Sequence, residues 1–382
     1  MRAYLDHAAT TPLSPSVLDA MGPYLTEHYG NPSSLHAEGR RARAALDEAR
    51  AGVASLIGAR AREIVFTASG SEADNLALKG AAWANSPRGR HVLVGSAEHK
   101  AVRNAAAVLE RQGWEVTWLP VDAEGGVDAA TVEAAISERT SLVSVMLANN
   151  EVGTINPIAE IGRVCRARGV LFHTDAVQAA GHLPIDVNAL GVDLLSLSAH
   201  KLHGPKGIGA LFVRQGTALL PQVHGGAQES QRRAGTEYVA GAVGFAAALR
   251  EAIGDPAAAV AERTRLEALR DRLMDGLAGL PGTRLTGHPT QRLPGIASAV
   301  IDGVEGGDLV AALDLEGVAA STGSACTSGS DEPSHVLLAM GIDERTAHGS
   351  LRLSAGRDTT PGEVEFALAA LERVLARMRV PA

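Results

Sequence analysis

Between about residues 60 and 215, short apolar runs alternate with longer stretches of helical period, and this alternation narrows the possible folds more than any other feature of the chain. The runs are Ile64-Val65-Phe66, His91 to Val94, Val116 to Leu119, Leu142 to Leu147, Val170 to Phe172, Leu194 to Leu197 and Ile208 to Val213. Such runs, spaced by helix-length segments, read as buried strands of a mostly parallel sheet with helices on both faces. The segments between them carry helix-start signals. Ser69-Gly70-Ser71-Glu72 precedes an Ala/Leu run to Ala84, and Asn156-Pro157 opens a run to Arg168. A long helix is expected after Gly235, through Tyr238 to Ala252. Gly254-Asp255-Pro256 then marks a boundary, followed by helical period from Val260 to Leu280 and strand-like Ile296 to Ile301, Val318 to Ala320 and Leu351 to Ser354. The expected division is a large α/β unit over residues 14–253 and a smaller α+β unit over 254–382. Residues 1–13, too short to fold alone, are expected to pack with the smaller unit.

A chain of 382 residues has length for roughly two domains. Aromatic content is 3% against 42 glycines, so the core must be built from Ala, Val, Leu and Ile at close backbone approach, and base-stacking platforms are scarce. A formal charge of −8 argues against nucleic acid as the main partner. Met1 to Pro12 has no apolar signal core, and Val239 to Leu249 is too short to span a bilayer. Two cysteines, Cys165 and Cys326, cannot form a disulfide framework. A reducing, cytoplasmic compartment is the expectation.

Three strand ends carry the candidate chemistry, because ligands of a parallel sheet bind at the carboxyl ends of its strands. In Ser196 to Gly207 a strand runs into Ser198, His200, Lys201 and Lys206; a lysine there can form a Schiff base, and the hydroxyls and loop N–H groups can hold a phosphate. The plainer alternative is a surface turn with two solvated lysines. In Phe172 to Gln178, Asp175 follows another strand and can pair with a protonated pyridine nitrogen, or simply cap the next turn. Ser69 to Asn75 is either a phosphate cup at a helix start or an ordinary capping box. Cys326 lies in the Ser/Thr/Gly-rich stretch Ser321 to Ser330, which reads as an exposed loop where a thiol can act, whereas Cys165 sits on an amphipathic helix and reads as a small core residue. His173-x-Asp175 and His200-x-x-His203 lack the further ligands of a zinc site, and no metal is expected.

The chain resembles the fold-type I pyridoxal-phosphate enzymes, and among them the cysteine desulfurases of the NifS and IscS kind, within the class-V aminotransferase family. The resemblance runs through Tyr4 to Pro12, Gly30 to Ser34, Glu98 to Val102, Asn149 to Gly153, His173 to Gln178, Ser198 to Gly207, His224 to Gly226, Arg233 to Thr236 and Ser321 to Ser328. It implies that Lys201 holds the cofactor, that His99 stacks on its ring and helps move protons, and that Asp175 pairs with the ring nitrogen. Gln178 would bond the ring's phenolic oxygen. Gly70, Ser71, Ser198 and His200 would hold the phosphate, with Thr236 reaching in from the other subunit of a homodimer. Asn150 and Arg352 would bind the substrate carboxylate; on composition alone Arg352 reads as a surface charge. Cys326, in a catalytic loop at about residues 321–332, would take sulfur from L-cysteine as a persulfide and release L-alanine. The sulfur would pass to an acceptor protein, an iron–sulfur scaffold or a tRNA-thiolation enzyme. Ser71 stands where many relatives have Thr, and the chain ends at Ala382 without the extension some IscS-type members carry. The competing readings are a selenocysteine lyase or another fold-type I enzyme, and a noncatalytic sulfur-transfer platform.

Overall fold

The computed structural model describes residues 1–323 and 332–378. Twelve strands lie in these residues. In chain order they are β1 Ala3–Tyr4, β2 Ile64–Thr67, β3 His91–Gly95, β4 Glu115–Leu119, β5 Thr140–Ser144 and β6 Leu171–Asp175. There follow β7 Leu194–Ser198, β8 Gly209–Val213, β9 Thr283–Leu285, β10 Ile296–Ile301, β11 Val318–Ala319 and β12 Ser350–Ser354.

The principal sheet has seven strands in the order β2-β8-β7-β6-β5-β3-β4. Strands β4, β3, β5, β6 and β7 pair in parallel, and only β8 runs against its neighbours. Every residue of β3, β5, β7 and β8 is buried, which is why these strands are apolar without alternation. Strand β4 closes the edge and exposes Glu115, a charge that blunts further pairing.

Helices cover both faces. On one side Ala37–Leu56, Ile158–Ala167 and Val239–Ile253 enclose a core that includes Leu46, Val53, Ile161, Phe172, Phe212 and Phe245. On the other, Gly70–Asn75 continues through a π-helical segment, Leu76–Gly80, into Ala81–Ala84; with Lys100–Arg111 it buries Leu76, Leu78, Val94, Val102 and Leu109. With few aromatic residues, helices must approach closely. A Cβ added to Gly162 would meet the Leu190 carbonyl oxygen at 2.3 Å, and one added to Gly244 would meet Met21 Sδ at 2.6 Å.

A second sheet, β12-β10-β9, is antiparallel. Helices Pro256–Ala278, Gly306–Leu315 and Pro361–Met378 pack on it around Leu266, Leu273, Leu309, Leu351 and Leu371. The long helix from Pro256 starts where Asp255 accepts from the N–H groups of Ala257 and Ala258, four residues before the period marked it. The chain's first strand joins this region: β1 pairs in parallel with β11, and Ala3 and Leu5 are fully buried in its core. Among the described residues no helix is long and apolar enough to cross a membrane.

Candidate active site

Because β2, β3, β5, β6 and β7 share one direction, the residues that follow them converge at one edge of the sheet. There a cavity of about 270 Å³ is lined by Gly70, Ser71, His99, Asn150, Asp175, Gln178, Ser198, His200, Lys201 and Arg352. All ten expected cofactor and substrate residues of the described chain except Thr236 are thus brought together. Thr236 is exposed and lines no part of its own chain's cavity. Cys326 lies outside the described residues; Gly323 and His335, on either side of that segment, both line the cavity.

Lys201 ends the short turn Ala199–Lys201 after β7. Its Nζ donates to the carbonyls of Ala8 at 2.5 Å and Ala9 at 2.7 Å, so the N-terminal segment forms one wall of the site. Gln178 Nε2 donates to the same Ala8 oxygen at 2.8 Å. Lys201 is therefore half-buried and engaged, while Lys206 is the exposed lysine of the pair.

Asp175, the last residue of β6, accepts from the Val177 N–H at 2.8 Å, so the turn-capping reading also holds. Burial pushes its carboxyl up to about 6, opposed by that hydrogen bond and by Lys201. His99 stands at the N-terminus of helix Lys100–Arg111, its Nδ1 accepting from the Ala101 N–H at 3.2 Å. Burial, and then the charge of Lys201, holds the His99 imidazole below its ordinary range. His200 is pushed down to about 4 by burial and by Lys201 and Lys206, and its Nδ1 bonds Thr10 Oγ1 at 3.1 Å.

The segment Ser69 to Glu72 is a genuine capping pair: Ser69 Oγ accepts from the Glu72 N–H at 3.1 Å, and Glu72 returns a carboxylate to the Ala68 N–H at 2.8 Å. It is also tightly fitted. A Cβ at Gly70 would meet Val177 Cγ2 at 2.8 Å and Ser198 Cβ at 3.3 Å.

Arg352 corrects the composition-based expectation of a surface charge. It is 2% exposed, in the fully buried strand β12. Its guanidinium donates to the Asn150 carbonyl at 2.6 Å and to Asp6 Oδ1 at 3.0 Å, while Nε has no hydrogen-bond partner. Asn150 Oδ1 and Ser198 Oγ are likewise buried and unpartnered. Such orphans are costly unless a ligand meets them.

Several contributors escape a sequence reading. The carbonyls of Ala8 and Ala9 have no sequence signal. Asp74, Met146, Glu151 and His335 also line the cavity, and Glu98 is buried beside it with Oε1 accepting from the Met146 N–H at 2.5 Å. Asp74 and Glu98 do stand inside motifs singled out above, a carboxylate after a strand end being the signal that could have found them. Neither histidine motif gathers metal ligands: His173 is held between Ser144 and Ser196, and His203 bonds the Pro12 carbonyl.

Cys165 is buried at 1% exposure, and desolvation pushes its thiol up to about 12. In the native protein at neutral pH it should resist alkylation and become reactive only in denaturant, which mass spectrometry of labelled peptides would check. Prompt native labelling of Cys165 would contradict this placement.

A mostly parallel sheet presenting a lysine, a buried aspartate and a phosphate-sized cradle at its strand ends defines a class, the lysine-dependent α/β enzymes that work on amino groups. Residues 3–366 match the class-V aminotransferase family, and the chain belongs to it, on the cysteine desulfurase side. It is 49% identical to the "Cysteine desulfurase IscS" of Methanosarcina thermophila over 98% of this chain and 92% of that one. It is 47% identical to the protein of the same name from Dictyoglomus turgidum, over 98% and 95%. Among solved structures, a "NIFS-LIKE PROTEIN" superposes with a TM-score of 0.92 at 37% identity, covering 99% of this chain and 100% of that one. A NifS-like protein from Rickettsia africae gives 0.88 at 30%, over 98% and 100%. Enzymes of this family depend on pyridoxal phosphate in general.

Proposed function

We propose that this chain is a cysteine desulfurase that holds pyridoxal phosphate on Lys201 and moves the sulfur of L-cysteine to Cys326, releasing L-alanine. The observation that carries the reading is the convergence of Lys201, Asp175 and Arg352 on one cavity.

The residues present suit the cofactor. Ser198 Oγ is a buried hydroxyl without a partner, and with the Gly70–Ser71 backbone and His200 it would meet the phosphate. Asp175, which burial alone drives toward its neutral form, would be held ionised by a protonated ring nitrogen. Gln178 would face the phenolic oxygen and His99 the ring. Once bound, pyridoxal phosphate supplies an electron sink for charge developed at an amino acid's Cα.

The chain's own groups do the rest. Arg352, with Nε and Asn150 unpartnered, would orient the substrate carboxylate. Lys201, once displaced by the substrate amine, is placed to take the Cα proton. The Cys326 thiolate then attacks the substrate sulfur. A sulfur–sulfur bond forms, the carbon–sulfur bond breaks with its electron pair returning to carbon, and protonation there yields alanine. His99, kept neutral by its surroundings, is a proton acceptor for the thiol.

Replacing Arg352 by Lys keeps a charge but loses the fork. The expected outcome is a KM for cysteine raised about 10- to 100-fold, the scale of one or two charge-assisted hydrogen bonds, with cofactor absorbance unchanged. Steady-state kinetics with a spectrum of the same preparation would check it.

The same reading takes residues 14–253 as the cofactor unit and 1–13 with 254–382 as the smaller unit carrying the Cys326 loop. It takes the protein as a cytoplasmic homodimer. Thr236, absent from its own cavity, would serve the partner's phosphate, and Tyr29, Leu35 and Tyr238 are 77%, 90% and 44% exposed, as interface residues would be in one free chain. The sulfur would go on to an iron–sulfur scaffold or a tRNA-thiolation enzyme. The test is alanine formation by the purified protein supplied with pyridoxal phosphate, L-cysteine and a reductant; cofactor bound with no alanine formed would sink the proposal.

A further inference from the structure

We propose that Asp74 is a positioning residue that keeps its proton at neutral pH, standing as a neutral carboxylic acid beside Asp175 so that Asp175 alone carries negative charge at the ring nitrogen. The inference rests on reading the cavity as the pyridoxal-phosphate site. It assigns a role to a residue that the desulfurase chemistry above leaves unused.

The geometry crowds two carboxyl groups into a dry place. Asp74 is 1% exposed and Asp175 5%. An oxygen of each and a ring nitrogen of His99 lie within 4.8 Å of one another. Two carboxylates that close, without water, cannot both be ionised, and the proton settles on the one with the poorer environment.

Asp175 has the better one. Its Oδ1 accepts from the Val177 N–H, and Lys201 offers a positive charge. Asp74 Oδ1 accepts no hydrogen bond, and its compensating contact is the Ser196 hydroxyl. The charges that act on Asp74 are both negative, Asp175 and the equally buried Glu98.

The nearby bases do not relieve it. His173 Nε2 stands 3.7 Å from Asp74 Oδ1, beyond hydrogen-bond reach. That imidazole is wholly buried between Ser144 Oγ at 2.9 Å and Ser196 Oγ at 3.0 Å, and burial pushes it down to about 3, so it is neutral. His99 is held below its ordinary range as well. Arg103 acts on Glu98 and stacks on the Trp118 ring at 4.8 Å. Burial accordingly drives the Asp74 carboxyl well above the usual carboxylate range, further than Asp175. A held proton also explains why Asp74, His99 and Asp175 need not be a metal site, since carboxylate ligands must be ionised to bind a cation.

The measurement is infrared spectroscopy of the cofactor-loaded protein at neutral pH, with aspartate side chains carbon-13-labelled so that Glu98 does not contribute. The expected result is a protonated aspartate carbonyl band, sensitive to deuterated water and absent from Asp74→Asn. In Asp74→Asn the pH midpoint of the lysine-bound cofactor's absorption should stay within about 0.3 unit, because one neutral group replaces another of the same shape. No band, a band retained in Asp74→Asn, or a midpoint displaced by about one unit or more would overturn the proposal. Should Asp74→Asn fail to fold, labelled wild type decides: a band surviving cofactor loading supports the proposal, since loading ionises Asp175, and its absence overturns it. An Asp74 band in a protein that forms no alanine from cysteine would leave this inference standing and remove the desulfurase reading instead.

Discussion

Lys201→Ala is expected to give a folded but colourless protein whose alanine formation falls at least about a thousandfold, because one substitution removes both the covalent anchor and the base at Cα. Folding should survive. The lysine's bonds to the Ala8 and Ala9 carbonyls are few and lie at the cavity, so their loss should cost about 1–3 kcal/mol, within what a domain tolerates. Absorbance of the protein after incubation with pyridoxal phosphate, followed by borohydride reduction and mass spectrometry, would check the anchor; turnover with cysteine would check the base. A cofactor adduct on another lysine, or turnover near wild type, would remove Lys201 from its role.

Cys326→Ser is expected to separate binding from chemistry. The variant should take up pyridoxal phosphate with the wild-type spectrum and respond to cysteine, yet release alanine at least about a thousandfold more slowly, since an alcohol at neutral pH is a far poorer nucleophile toward sulfur than a thiolate. The prediction does not depend on a placement of Cys326, which lies outside the described residues. Chain connectivity suffices: Gly323 lines the cavity, and three further residues reach at most roughly 10 Å. Alanine measured by chromatography, beside persulfide detected on the wild-type thiol, would check it. Unchanged turnover in the variant would assign the sulfur-accepting role elsewhere.

The seven strands of the large sheet were legible because buried parallel strands must be apolar on both faces, and their runs stand out between glycines and polar turns. Other elements were not. Helix Ala37–Leu56 is rich in Arg and Ala and buries only a narrow stripe, so its period is faint, and β9 is three residues long. At the site, Lys201 and Asp175 were legible from position alone, as polar residues just past apolar runs. Asn150, Arg352 and Thr236 were named only through family resemblance. Arg352 shows why: its burial is decided by Asp6 and Asn150, 346 and 202 residues away, and no local pattern records that. The carbonyls of Ala8 and Ala9 leave no mark in a sequence at all, since every residue has one.

The reach of the N-terminal segment has a bearing on how the molecule is made. Residues 3 to 9 supply β1, the Asp6 partner of Arg352 and the wall behind Lys201, yet their partners in the smaller sheet emerge last from the ribosome. At about 5 to 20 residues per second, roughly 20 to 70 s separate the synthesis of Asp6 from that of Arg352. For that interval a growing chain already owns its seven-stranded sheet and its lysine but lacks one side of the pocket. Maturation is therefore gated by the end of translation, and a reactive aldehyde cofactor meets a finished site only on a nearly complete polypeptide.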